Sequence, residues 1–238
     1  TRTISSAASD VYKRQPYILQ VTEEGIVGEF DFFNSVDKLI IAMPPGLRSN
    51  PKRRFDVMMN HVKKACEEEG IKEVIFISST SVYGNLYGII TEKSNTEPET
   101  NSSKQLLQCE KLLSDSVHFN TTILRMGGLI GADRHPVFQL SKKEFVTNPK
   151  GSINLIHLTD CINIIGSLIN QTIVKNVYNC VTPYHPNRVK YYTQMAIQMG
   201  CNPPKFMDSI TFDRKISSKK LQEKFNYAFR VINLLISS

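Results

Sequence analysis

Along the chain, short unbroken apolar runs alternate with stretches in which apolar residues recur at three and four positions. Residues 36–43 (VDKLIIAM) and 73–77 (EVIFI) are runs without helical spacing, the pattern of strands buried on both faces of a parallel sheet. Between them Phe55, Met58, Met59, Val62, Ala65 and Cys66 recur at helical spacing. This predicts a helix over residues 50–69, with Asn50 as N-cap, Pro51 in the first helical position and Gly70 just past its end. Strand, helix and strand in that order form a right-handed crossover unit.

The alternation continues downstream. A helix is expected over 102–113, a strand over 121–126 (TTILRM), a brief strand over 154–157, and a helix over 159–168 capped by Thr159. A strand over 176–181 and a helix over 187–199 closed by Gly200 come next, and the tail holds a short strand near Arg214 and a helix ending at Phe225. Upstream, 17–21 is a short strand candidate, and 23–34 reads as a loop with a helical turn. Pro44-Pro45-Gly46 stops the strand 36–43, because proline lacks the ladder donor, and leaves a ligand-facing turn there. The fold class is α/β, a doubly wound parallel sheet. Residues 1–15 (TRTISSAASDVYKRQ) have no apolar periodicity and no continuity with the chain from Pro16 onward, so they read as a non-native or disordered tail.

Composition narrows the class. A chain of 238 residues with 41% apolar and 21% charged residues suits one large domain, or one with a small appendage. The five cysteines are scattered, with no CxxC pair and no histidine spacing suited to zinc, so they read as a reduced intracellular set with no metal. No apolar run approaches the roughly 18 residues of a membrane span, and a cytoplasmic location is expected. The formal net charge is +7, but only 48–54 and 214–224 are enriched in basic residues. A solvated basic surface fits that spread better than a nucleic-acid stripe.

Candidate chemistry gathers just after the run 73–77. Ser78, Ser79, Thr80 and Ser81, then Tyr83-Gly84, stand where open α/β sheets bind ligands, beyond the carboxyl ends of the strands. The glycines of Gly127-Gly128-Leu129-Ile130-Gly131 are a decoy for the dinucleotide fingerprint, since the first glycine of GxGxxG would have to be Met126. Arg125, on a predicted strand, needs a partner; a structural ion pair and a ligand-facing role both stay open.

ISSTSVYG after a buried strand, Lys104 opening the next helix, LRMGGLIG after the next strand, and NLIHLTD beyond resemble extended short-chain dehydrogenases, the NAD-dependent epimerase and dehydratase group, and its atypical members above all. The resemblance spans roughly 17–229. It implies a Rossmann-like sheet and NAD or NADP in a cleft lined by Ala42, Met43, Pro44, Pro45, Ser78, Ser79, Met126 and Gly127. Ser79 would orient the substrate hydroxyl, Lys104 fills the family's lysine position, and Thr80 and Arg134 would face the substrate. Thr100 stands where the family places its catalytic tyrosine. A threonine hydroxyl has no accessible ionisation near neutrality, so the proton step would pass to another phenol, Tyr83 or Tyr87, if the loop brought it to Ser79. His157 and Asp160 match the IHxxD pattern and read as structural.

Residues 16–36 hold no glycine-rich turn. The resemblance therefore implies a chain lacking its first βαβ unit: a partial NAD(P)-binding domain over 16–150, then the remaining sheet edge and a small C-terminal α+β lobe over 151–238. If 17–21 is the third strand of the order 3-2-1-4-5-6, the strand 36–43 keeps an open apolar edge. The function implied is an epimerase- or dehydratase-like oxidoreductase acting on a small hydroxylated substrate, and the alternative is a non-catalytic dinucleotide sensor or scaffold.

Overall fold

The computed structural model describes residues 17–131, 134–208, 213–232 and 234–235. In chain order the elements are β1 (Leu19–Val21), β2 (Ile26–Gly28), β3 (Lys38–Ile41), α1 (Phe55–Glu68), β4 (Glu73–Ser79), β5 (Gly88–Ile90), α2 (Asn101–Ser114), β6 (Asn120–Met126), β7 (Gly128–Ile130) and α3 (Val137–Leu140). Then come β8 (Leu155–His157), α4 (Leu158–Ile169), β9 (Asn176–Cys180), α5 (Arg188–Gln198), β10 (Arg214–Ile216) and α6 (Lys219–Phe225). The expectation for residues 1–15 falls outside the described residues.

The centre is a four-stranded parallel sheet in the order β3-β4-β6-β9. Side chains alternate across it as the two-residue strand period requires. Leu39, Ile41, Val74, Phe76 and Ile123 enter one apolar cluster with α1 and α2, while Ile75, Leu124, Met126, Tyr178 and Cys180 enter another with α4 and α6. Helices on both faces are why the strands read as unbroken apolar runs. Val74, Ile75 and Phe76 are fully buried, and each such side chain contributes about 1.5–3 kcal/mol. A third cluster joins α3, α5 and β8 beyond the carboxyl ends of the sheet.

Three expectations are corrected. The run 17–21 is not a strand of the parallel sheet: β1 pairs antiparallel with β2, Leu19 opposite Gly28, in a separate hairpin, and the loop 23–34 holds that second strand as well as a 3-10 turn at Phe30–Phe33. Helix α1 starts at Phe55 rather than beside Asn50, whose side-chain oxygen instead accepts from Lys52 N at 3.3 Å and closes a local turn. Helix α4 is capped by His157, whose Nδ1 accepts from Thr159 N at 3.2 Å, and not by Thr159. The glycines after β6 do not open a helix. They form β7, which pairs with β8 in a parallel two-stranded ribbon. Strand β3 pairs only with β4 among the described residues.

Candidate functional site

Strand β4 hands its chain to a 3-10 turn, Thr80–Tyr83, that disperses the hydroxyl cluster. Ser78, buried, turns onto the face under α2 and donates to Glu110 Oε1 at 2.5 Å. Ser79 caps the turn, its Oγ accepting from Ser81 N at 3.1 Å, so its own proton is left to donate. Thr80 Oγ1 donates to the Met126 carbonyl at 3.2 Å, which stitches the ends of β4 and β6 together and engages the proton of that hydroxyl. Gly84 closes the turn at φ +58, where a Cβ would strike the Glu97 carbonyl.

Tyr83 is fully buried and does not face Ser79. Its hydroxyl donates to Asn179 Oδ1 at 2.8 Å and accepts from the Arg125 guanidinium at 2.9 Å, which also lies over the ring. Burial pushes the phenol up, and Arg125 only partly offsets this. Arg125 itself meets Glu110 with three hydrogen bonds, at 3.1, 3.2 and 2.6 Å, resolving its role as the buried ion pair. Ser78, Glu110, Arg125, Tyr83 and Asn179 thus form one buried polar chain that ties α2 to β4, β6 and β9.

A cavity of about 600 Å³ opens beside Ser79 at the carboxyl ends of β4 and β6. Its near wall is Ser79, Thr80, Gly127 and Gly128, and its far wall is Arg188 and Tyr192 of α5 with Arg214 of β10. Gly127 is buried where a Cβ would sit 2.9 Å from the Asn154 carbonyl, so only glycine lets the two loops meet this closely. Arg188 and Tyr192 are four apart on one helix and share a face. The Arg188 guanidinium carbon lies 5.8 Å from the Tyr192 ring centroid, and the arginine Nε is buried with no hydrogen-bond partner among the described residues. Arg214 donates to the Gly84 carbonyl. Burial pulls its pKa down, Arg188 adds to that, and Glu99 opposes it. Among the described residues neither arginine has an ion pair with a carboxylate.

Other predicted residues lie elsewhere. Lys104, exposed on α2, lines a separate groove with Thr96, Leu107 and Lys111, because the start of α2 sets it away from the Ser79 cavity. Thr100 caps α2: its Oγ1 accepts from Ser103 N at 3.1 Å while Ser103 Oγ accepts from Thr100 N. Ala42, Met43, Pro44 and Pro45 come directly after β3 at the same end of the sheet, with Ala42 and Pro44 exposed. Met126 is buried in the apolar cluster on the α4 side. Arg134 is exposed, pairs through its backbone with Gly131, and is not in the cavity wall. Tyr87 is 76% exposed. Arg188, Tyr192 and Arg214 were not singled out by sequence; the one available signal was an arginine and a tyrosine four apart behind the N-cap Asn187.

The chain fits the nicotinamide end of a dinucleotide better than the whole of it. Small and hydroxylated residues end adjacent parallel strands beside a cavity, but no described segment supplies a glycine-rich turn on a helix N-terminus for the pyrophosphate. Among the described residues no helix is long and apolar enough to cross a membrane, and no group of three His, Cys, Asp or Glu side chains is placed to hold a metal ion.

No family model matches the chain. Protein YeeZ of Escherichia coli K12 is 34% identical over 199 residues, covering 82% of this chain and 71% of that protein. Among solved structures, MoeE5 in complex with UDP-glucose and NAD superposes with a TM-score of 0.72 at 17% identity, covering 87% of this chain and 78% of that one. The UDP-glucuronic acid 4-epimerase of Bacillus cereus in complex with NAD gives 0.69 at 16% identity, covering 85% and 72%. RMD of Pseudomonas aeruginosa complexed with NADPH gives 0.68 at 15% identity, covering 85% and 81%.

Proposed function

We propose, on the premise that this chain belongs to the family of Protein YeeZ and has the fold of the extended short-chain dehydrogenases, that it is an NAD(P)-binding, epimerase- or dehydratase-like oxidoreductase whose substrate is a hydroxylated, phosphate-bearing molecule of the sugar-nucleotide kind. The observation that carries the substrate class is the pair Arg188 and Arg214 in the wall of the Ser79 cavity, two partly buried cations that make no ion pair with a carboxylate among the described residues, Glu99 acting on Arg214 only from beyond ion-pair distance. Buried charges are ordinarily paired, so the missing counter-charge is assigned to the ligand. A diphosphate suits two guanidinium groups, which bind phosphate oxygens in pairs. Ser79, with its proton free, would hold the reacting hydroxyl. Ala42, Met43, Pro44 and Pro45, the backbone at Ser78 and Ser79, and Gly127 would border the nicotinamide end of the cofactor, with Met126, Lys104 and Arg134 left outside this arrangement. When bound, the dinucleotide supplies hydride transfer. MoeE5, solved with UDP-glucose and NAD, and the UDP-glucuronic acid 4-epimerase, solved with NAD, support the same reading, and RMD, solved with NADPH, supports its cofactor half.

Calorimetry tests it. With the full-length protein NADH or NADPH should bind, UDP-glucose should bind to the loaded protein, and Arg214→Gln should weaken UDP-glucose by about tenfold or more, the worth of a hydrogen bond to a charged group. Absence of binding by both dinucleotides would refute the reading. A second reading, a dinucleotide sensor without turnover, is favoured by Thr100 being spent on a helix cap and by Lys104 lying outside the cavity. Hydride exchange that disappears in Ser79→Ala decides against it.

A further inference from the structure

We infer that Tyr192 is the proton-transferring residue of this cavity, with the Arg188 guanidinium as the cation that tunes it. The inference deepens the functional reading above and rests on it. Of the phenols among the described residues, Tyr192 alone lines the cavity that Ser79 lines. Its hydroxyl makes no hydrogen bond to any described residue, whereas Tyr83 is held by Asn179 and Arg125, Tyr191 by His135 and the Leu234 carbonyl, and Tyr227 by Asp160. Tyr87 projects into solvent. Ring contacts fix Tyr192 without engaging its oxygen: Tyr191 packs edge-on at 5.2 Å and His135 at 6.3 Å.

The chemistry needs a phenol beside a cation. A phenol with a nearby positive charge gives up and regains its proton far more readily than a threonine hydroxyl does. Arg188 supplies that charge 5.8 Å from the ring centroid, one helical turn before Tyr192 on the same face of α5. Burial raises the Tyr192 phenol and Arg188 opposes that rise, which leaves it protonated and ready to donate at neutral pH. The balance is simple. When hydride reaches a carbonyl carbon, the Tyr192 O–H bond breaks, a new O–H bond forms on the substrate oxygen, and the negative charge left on the phenolate is offset by the Arg188 guanidinium over its ring. Oxidation of the alcohol runs the same bonds in reverse. Ser79, across the cavity, donates its free proton as a hydrogen bond to the same oxygen and holds it in place.

The test uses the full chain, NAD or NADP, and UDP-glucose as the probe. Protein carrying fluorotyrosine shows one fluorine resonance that is missing in Tyr192→Phe, and that resonance should shift when UDP-glucose binds. Hydride transfer, read from nicotinamide absorbance, should fall about a hundredfold or more in Tyr192→Phe, while calorimetric affinity for UDP-glucose changes by less than about threefold. Tyr87→Phe should match the parent protein. At saturating UDP-glucose, Arg188→Gln should move the pH at which the oxidative rate reaches half its plateau upward, and an unmoved limb overturns the pairing. UDP-glucose bound with the Tyr192 resonance unmoved, no hydride transfer by the parent protein with both ligands bound, or full activity in Tyr192→Phe overturns the role of Tyr192 and leaves the binding reading standing. Failure of UDP-glucose to bind at all overturns the substrate reading and this one together.

Discussion

Arg125 brings a full charge into the helix-covered face of the sheet, where Glu110 meets it with both carboxylate oxygens and Tyr83 takes up one of the remaining donors. Burial pushes the arginine pKa down, and the Glu110 carboxylate more than reverses that. Removing one partner of such a pair strands the other, so Glu110→Ala should lower unfolding stability by about 3–5 kcal/mol in a denaturant titration. Adding Arg125→Met to that variant should recover part of the loss, because the uncompensated charge is then gone. The VYG motif marked the right region of the chain, yet Tyr83 itself serves the core. Nothing within a few residues of Tyr83 reveals this, since its partners Arg125 and Asn179 are 42 and 96 positions away.

Among the elements, α2 shows how one hydroxyl serves local structure. Thr100 and Ser103 exchange side-chain-to-backbone bonds at its first turn, a reciprocal cap that satisfies two otherwise orphaned donors. Thr100→Ala should therefore cost about 1 kcal/mol in thermal or chemical unfolding and leave NADH and UDP-glucose affinities unchanged. A change in either affinity would return Thr100 to the binding site. Helix α4 is held at its far end by Lys38, whose ammonium reaches the carbonyls of Ile169 at 2.8 Å and Gln171 at 2.6 Å and the carboxylate of Glu73 at 2.8 Å. A cation there complements the negative end of the helix. The start of α1 departs from its sequence signal for a related reason: Asn50 favours its own local turn, so the helix begins only where Phe55 can bury.

At the scale of the whole molecule, two buried polar groups tie segments far apart in sequence to one another. Asp160, fully buried in the first turn of α4, accepts from Tyr227 hydroxyl at 2.7 Å, Arg230 N at 2.7 Å and Val231 N at 3.1 Å. His135 accepts from Val137 N through Nδ1, so its Nε2 carries the proton and donates to Tyr191, which in turn donates to the Leu234 carbonyl. Burial pulls the His135 pKa from 6.5 to about 4. Its folded-state pKa lies below the unfolded value, so the neutral ring stabilises the protein fully above pH 6.5, and that contribution disappears as pH falls through about 4. Unfolding midpoints measured between these pH values should drop on acidification, and His135→Gln should flatten the dependence. The βαβ rhythm, the buried parallel strands and the end of the sheet at which Ser79 stands were all legible from residue order, because periodicity and helix stop signals act between neighbours a few positions apart. Which hydroxyl opens into the cavity, and that Arg188, Tyr192 and Arg214 line its far wall, came only with three-dimensional packing. Those groups lie 109, 113 and 135 positions beyond Ser79, and no local pattern constrains where a chain returns after crossing that much of the fold.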